Sequence, residues 1–243
     1  MTEFTIYLDG RKIGISALYE SSRDFCKDYI CSGAADFSLS VSPDDIRFER
    51  EKSAREDELE GIPVRNFSDP YLETLAIYRK IAEQMPKYDT FLFHGSVIAV
   101  DGIGYLFTAK SGTGKSTHTR FWREEFGSRA FIVNDDKPLL RVTDTNVLAY
   151  GTPWDGKHRL STNTAVPLKA ICVLERGTEN HIEPLSPRQA LPTLFQQSYR
   201  TQTPEYMGSL LQLLDKLTVR VPFYRLHCNL DPAAARVAYE GMQ

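Results

Sequence analysis

The residues best suited to chemistry lie between Tyr105 and His118, in the run Tyr-Leu-Phe-Thr-Ala-Lys-Ser-Gly-Thr-Gly-Lys-Ser-Thr-His. An apolar segment leads into Ser111, Gly112, Thr113, Gly114, Lys115 and Ser116, and the next residues, from Thr117 through Phe126, read as a helix closed by Gly127. A strand, a glycine loop and a helix in that order are what a phosphate-binding P-loop requires. Gly112 and Gly114 let the backbone turn its N–H groups inward around phosphate oxygens. The helix start adds unpaired donors and a partial positive charge. Lys115 is expected to reach the outer phosphates of a nucleoside triphosphate such as ATP, and the Ser116 hydroxyl to ligate Mg2+ or Mn2+. Ala109 stands where the motif's first glycine would be, the smallest replacement available. A glycine turn that merely caps a helix is the competing explanation, and the flanking strand and helix leave it little room.

A second group of chemical residues follows in Phe131-Ile-Val-Asn-Asp135-Asp136-Lys137. Three apolar residues ending in paired carboxylates place the acids at the C-terminal edge of a strand, where α/β proteins bind ligands. One carboxylate is suited to a metal bridging the β- and γ-phosphates, the other to receiving the proton of an incoming hydroxyl. Taken alone, the pair reads as a solvated polar turn. Only one helix separates it from Lys115, so its strand is expected to lie next to the P-loop strand. Upstream, His94-Gly95-Ser96 joins two apolar runs, a place where a lone histidine is usually structural. Downstream, Tyr150 to Arg159 is a loop rich in glycine, cations and aromatics. There Lys157 or Arg159 would neutralise charge on a transferring phosphoryl group; a tight surface loop with Trp154 packed inward competes equally.

The elements that must hold these residues follow from pattern. Residues 4–8 and 12–18 read as strands joined at Asp9-Gly10, a common hairpin turn pair. Residues 42–61 are densely charged; Ser42-Pro43-Asp44-Asp45 resembles a helix start, but too few apolar positions follow to tell helix from edge strand. A helical stripe covers 70–85, with Pro86 after it. Ser186-Pro187, Thr203-Pro204 and Asp231-Pro232 each open a helix. Strands are expected at 91–100, 104–108, 130–134, 138–142, 168–174 and 219–226. Strands alternating with helices predict an α/β core. The expected division is an N-terminal β-containing portion over 1–65 and a P-loop domain over 66–243.

Composition narrows the partners. With 42% hydrophobic and 25% charged residues the chain has ordinary globular composition. A net charge of −3 gives no basic surface for nucleic acid. No apolar run reaches the roughly 18 residues needed to span a bilayer, and the N-terminus lacks a signal-peptide pattern. No membrane partner is therefore expected, and the cytoplasm is the expected compartment. Cys26, Cys31, Cys172 and Cys228 lack zinc-site spacing and read as reduced thiols.

The order His94-Gly95-Ser96, a short hairpin, Ser111-Gly-Thr-Gly-Lys-Ser, then Asp135-Asp136 after one helix resembles the catalytic core of the HPr kinase/phosphorylase and phosphoenolpyruvate carboxykinase superfamily. The likeness covers about residues 91–142 and, more loosely, the strands to about 175. It implies an α/β P-loop kinase core, with a mixed sheet flanked by helices and a small N-terminal β-containing portion. It also implies that the Gly112 to Thr117 backbone and Lys115 hold the triphosphate, that Ser116 binds metal, and that His94 lies near the metal or the phosphoryl group. Asp136 matches a metal ligand in the carboxykinase branch, whereas the acid pair supplies the base in the kinase branch. The two roles stay undivided between Asp135 and Asp136.

Full carboxykinases are far longer than this chain. The kinase/phosphorylase segment used in the reverse reaction has no clear counterpart in Gly151 to Thr164, so the likeness does not extend to HPr as substrate or to phosphorylase activity. The chain looks most like small kinase-like proteins associated with peptide modification. The expected activity is transfer of the γ-phosphoryl of ATP to a hydroxyl on a peptide, protein or small molecule, with a homo-oligomer possible by analogy with HPr kinases. Two alternatives stand beside it. One is a carboxykinase-like reaction on a small acid, drawing on Lys157, Arg159, Arg200 and Arg220. The other is an inactive nucleotide-binding regulatory module.

Overall fold

The computed structural model describes residues 1–110, 112–156, 158–201 and 203–243, and the chain separates into two compact units, Met1–Gln84 and Met85–Gln243. In the first, β1 (Thr2–Leu8) and β2 (Arg11–Ala17) form the expected antiparallel hairpin. Its turn residues Asp9 and Gly10 both take positive φ, 52° and 71°, as a two-residue hairpin turn demands. A short helix, α1 (Glu20–Phe25), and β3 (Phe37–Ser40), parallel to β2, come next.

The charged run then resolves as helix α2 (Pro43–Glu60), packed on α3 (Asp69–Gln84). Local capping decides what hydrophobic pattern left open. Ser42 and Asp45 form a reciprocal capping box, Pro43 opens the first turn, and Gly61 ends the helix at φ 69°. The acids of α2 that face α3 are neutralised: the Arg79 guanidinium binds Asp45 at 2.8 Å and Glu49 at 2.6 Å, and Lys80 binds Asp45 at 2.7 Å.

The second unit is built on a nine-stranded mixed sheet. Its strands are β4 (Thr90–Leu92), β5 (Ser96–Val100), β6 (Ile103–Thr108), β7 (Ala130–Asn134), β8 (Leu139–Val142), β9 (Val147–Tyr150), β10 (Ala165–Arg176), β11 (His181–Leu185) and β12 (Phe223–Cys228). Its helices are α4 (Lys115–Phe126), α5 (Pro187–Gln197), α6 (Pro204–Thr218) and α7 (Ala233–Gly241). The main path runs β4-β8-β9-β10-β6-β5-β7, and the parallel strand β12 joins β10 to β11.

One face of the sheet packs Phe91, Leu106 and Val133 against Leu194 of α5 and Leu210 and Leu214 of α6. The other packs Phe107 and Ile132 against Phe121 and Trp122 of α4 and Ala235 and Ala238 of α7. With apolar helices on both faces, strand edges are what remain for ligands.

Two expectations change here. The strand read over 91–100 is two strands broken at Phe93-His94-Gly95. Those three N–H groups leave the ladder for the carbonyls of Pro138, Gln197 and Asp136. The strand of the acid pair is also not beside the P-loop strand, because β5 lies between β7 and β6. β5 is antiparallel to both, so β6 and β7 run parallel and their C-terminal ends emerge on one edge.

Candidate active site

That edge gathers three segments. β6 delivers the glycine loop, β7 delivers the acids, and β5, running the other way, begins there just after His94. Gly112 and Gly114 adopt φ of 73° and 117° with open space where a Cβ would stand. Both are conformations that other residues reach only under strain. Thr113 donates its N–H to the Lys110 carbonyl, and α4 starts at Lys115. The Lys115 ammonium rests on the Ala109 carbonyl at 3.4 Å, and burial pushes its pKa down against the opposing pull of Asp136. Arg176, at the end of β10, donates to the Gly112 carbonyl at 2.8 Å and fastens the loop from the far side. Ser111 and Lys157, both candidates from sequence, lie outside the described residues.

The histidine and acid segments are tied through their backbones. Gly95 N–H donates to the Asp136 carbonyl at 2.9 Å, and the Ser96 hydroxyl to the Asp135 carbonyl at 2.8 Å. A Cβ on Gly95 would stand 2.9 Å from the Phe107 carbonyl, so this crossing requires glycine. His94 Nε2 then meets Asp136 Oδ1 at 3.3 Å.

The two aspartates have different surroundings. Burial pushes Asp136 upward, but the His94 hydrogen bond and the charges of Lys137, His94 and Lys115 outweigh it and hold the carboxyl below its usual range. Burial pushes Asp135 upward, only partly offset by the hydrogen bond it accepts from Gly156 N–H, and the neighbouring Asp155 and Asp136 add to the rise. A Cβ on Gly156 would stand 2.6 Å from the Asp135 carboxylate, so glycine is needed for that contact.

Asn134 carries this arrangement. Its side-chain carbonyl accepts the N–H groups of Asp136 and Lys137 at 2.9 and 2.7 Å, and its amide donates to Thr152 and to the Trp154 carbonyl. It is fully buried. An asparagine ending an apolar strand before two acids is the sequence signal for such a turn. Trp154 is packed inward, and the Arg159 guanidinium binds the Pro153 carbonyl and Asp155 within its own loop. Arg200 stacks over Phe195, and Arg220 binds the carbonyls of Lys216 and Asp144. Among the described residues, the three arginines that a small-acid site would gather therefore each engage different partners.

Beside the acids is a cleft of about 330 Å³, lined by Ser116, Thr119, Arg120 and Arg123 of α4, by Ile132 and Asp135, and by His158 and Leu160. Ser116 and Asp135 thus face one space, whereas Asp136 faces His94. No cluster of three or more His, Cys, Asp or Glu side chains able to hold a metal occurs among the described residues. Mg2+ in phosphoryl-transfer sites needs no such cage, since it takes one or two protein oxygens and fills its shell with phosphate and water. The Ser116 hydroxyl and an aspartate carboxylate are hard oxygen donors of that kind. No described helix is long and apolar enough to cross a membrane.

The family model described as SynChlorMet cassette protein ScmC matches residues 66–233. None of the curated proteins matches the sequence. Among solved structures, the HPr(Ser) kinase/phosphatase from Coxiella burnetii is similar at a TM-score of 0.36 with 15% identity, over 62% of this chain and 95% of that one.

Proposed function

The chain belongs to the SynChlorMet cassette protein ScmC family, and we propose that it acts there as a metal-dependent kinase, moving the γ-phosphoryl group of ATP to a hydroxyl. The observation that carries this reading is the shared strand edge. It holds a left-handed glycine loop ending in Lys115, and two inequivalent aspartates pinned to that edge by Ser96, Gly95 and Asn134. A protein that only binds nucleotide has no use for the second acid or for the histidine that braces the first.

In this reading the N–H groups from Gly112 to Thr117 and the Lys115 ammonium hold the β- and γ-phosphates. Ser116 and Asp136 would hold Mg2+ or Mn2+, which when bound offsets charge on the phosphate oxygens. His94 keeps Asp136 oriented and ionised. Asp135 shares the cleft with Ser116 and is the base: it takes the acceptor's proton as the hydroxyl oxygen bonds to the γ-phosphorus. The bond from that phosphorus to the β–γ bridging oxygen breaks, and ADP leaves with the electron pair. A carboxylate whose pKa is raised by burial is a better base than one held low by a histidine hydrogen bond and two lysines.

The test is phosphate transfer from radiolabelled ATP to a panel of hydroxyl-bearing peptides, proteins and small molecules, with and without Mg2+. Metal-dependent transfer that vanishes in the Lys115→Ala variant supports the reading. Mg·ATP binding with no transfer to any acceptor would leave a nucleotide-binding regulatory module instead.

A further inference from the structure

The cleft that Ser116 shares with Asp135 continues along α4, and the character of its wall changes on the way. Because β6 and β7 are parallel, α4 runs back antiparallel to β7, which puts Ser116 and Asp135 at one end of the cleft. Arg120 and Arg123 follow Ser116 on the same helical face at intervals of four and seven residues. At 1.5 Å rise per residue they begin about 6 and 10 Å farther along the axis. Ile132 and Leu160 supply apolar wall.

Both arginines are exposed, and Arg120 lies over the Phe121 ring at 5.3 Å. Arg120 meets Glu124 at 3.8 Å, an exposed pair of the kind that contributes little. Among the described residues no carboxylate pairs with Arg123. Two guanidinium groups lining a cleft, about one and two helical turns beyond Ser116 and without a close carboxylate partner among the described residues, can receive an anion.

We propose that this cleft is the acceptor subsite and that it selects an acceptor bearing a carboxylate or a phosphate a few bonds from the hydroxyl to be phosphorylated. The proposal rests on the kinase reading, which assigns the transferring end to Ser116 and Asp135. It adds the chemical class of the substrate. The spacing of about 6 to 10 Å matches an anionic group on the same small molecule, or on a neighbouring residue of an extended peptide, which advances about 3.3 Å per residue. A neutral alcohol would leave both guanidinium groups idle.

The full chain labelled with 15N-arginine, saturated with Mg2+ and the non-hydrolysable analogue AMP-PNP, is titrated with glycerate, glycerol 3-phosphate and glycerol. The Nε–H signals of Arg120 and Arg123, assigned through Arg120→Lys and Arg123→Lys, are followed by NMR. Either anion is expected to shift them saturably and at least ten-fold more tightly than glycerol. The pair of anions separates carboxylate from phosphate recognition. The double change Arg120→Gln with Arg123→Gln is expected to weaken anion binding at least ten-fold. Signals that do not move, glycerol binding as tightly as the anions, or undiminished anion binding in the double variant would each overturn the proposal. So would a loss confined to AMP-PNP affinity, which would make the arginines nucleotide contacts. AMP-PNP binding is measured beforehand: its absence would remove the kinase reading, while the anion titration would still report on the cleft.

Discussion

The two units handle charge in opposite ways. In Met1–Gln84 the acids of α2 that face α3 have fixed partners: Arg79, only 13% exposed at its side chain, bridges Asp45 and Glu49, and Lys80 completes the group. In Met85–Gln243 the groups on the strand edge are left incompletely matched. Asp135 is raised by burial, Lys115 rests on a carbonyl, and Arg123 lines a cleft with no carboxylate paired to it among the described residues. Ionic groups that close on one another hold a fold together, and ionic groups left open have something to bind. The density of charged residues along the sequence is higher in the first unit, yet the second is where chemistry is expected.

Substitutions can break that contrast. The largest effect is expected from Lys115→Ala, which should lower phosphoryl transfer by at least about 1000-fold, on the order of 4 kcal/mol of transition-state stabilisation, while the urea midpoint barely moves. Asp135→Asn is expected to reduce kcat by about 100- to 10,000-fold, the usual worth of a general base, with KM for ATP nearly unchanged. Asp136→Asn should instead raise the Mg2+ concentration needed for half-maximal rate, so metal titrations of the two variants separate the two roles.

In the N-terminal unit, Arg79→Ala should cost about 3–5 kcal/mol in urea unfolding, because the buried Glu49 carboxylate loses its closest partner and keeps Lys52 at 3.7 Å. Nucleotide binding should survive wherever the protein remains folded. The smallest effect concerns pH. Burial pushes Asp45 upward, but Lys80, Ser42 and Arg79 together hold it well below the usual carboxylate range. A carboxylate lowered in the folded state contributes stability that is full above about pH 4 and is lost as pH falls further. The stability difference between the wild type and Asp45→Asn should therefore be constant from pH 7 to about pH 5 and shrink toward pH 3.

Much of the site was legible because its chemistry is compressed into short motifs. The glycine loop, Lys115 and the paired acids announce themselves by type and spacing, and the helix after the loop ends at Phe126 before Gly127 as the sequence implies, though it begins two residues earlier, at Lys115. The helices opened by small polar residues before proline were legible for the same local reason. Long-range features were not legible. The insertion of β5 between β6 and β7 depends on a pairing choice that no single segment encodes. Asn134 matters only because Thr152 and Trp154 return beside it. Arg120 and Arg123 read as an ordinary solvated helix face until Ile132, Asp135 and Leu160 close the cleft opposite them. Short strands such as β3, β9 and β11 carry too little alternation to be found by pattern, and pairing alone defines them.

The place of β5 has a further consequence, for assembly. His94, the glycine loop and both aspartates all come from one uninterrupted stretch of chain, folded as a hairpin and one helical crossover. Loops that short close at little entropic cost, and contacts near in sequence form early. That edge can therefore organise around its own neighbours, and β10, which walls β6 from the other side, can add to a framework already laid down. Nucleotide captured by that young framework would act as a folding ligand, favouring the native pairing before the rest of the sheet has closed.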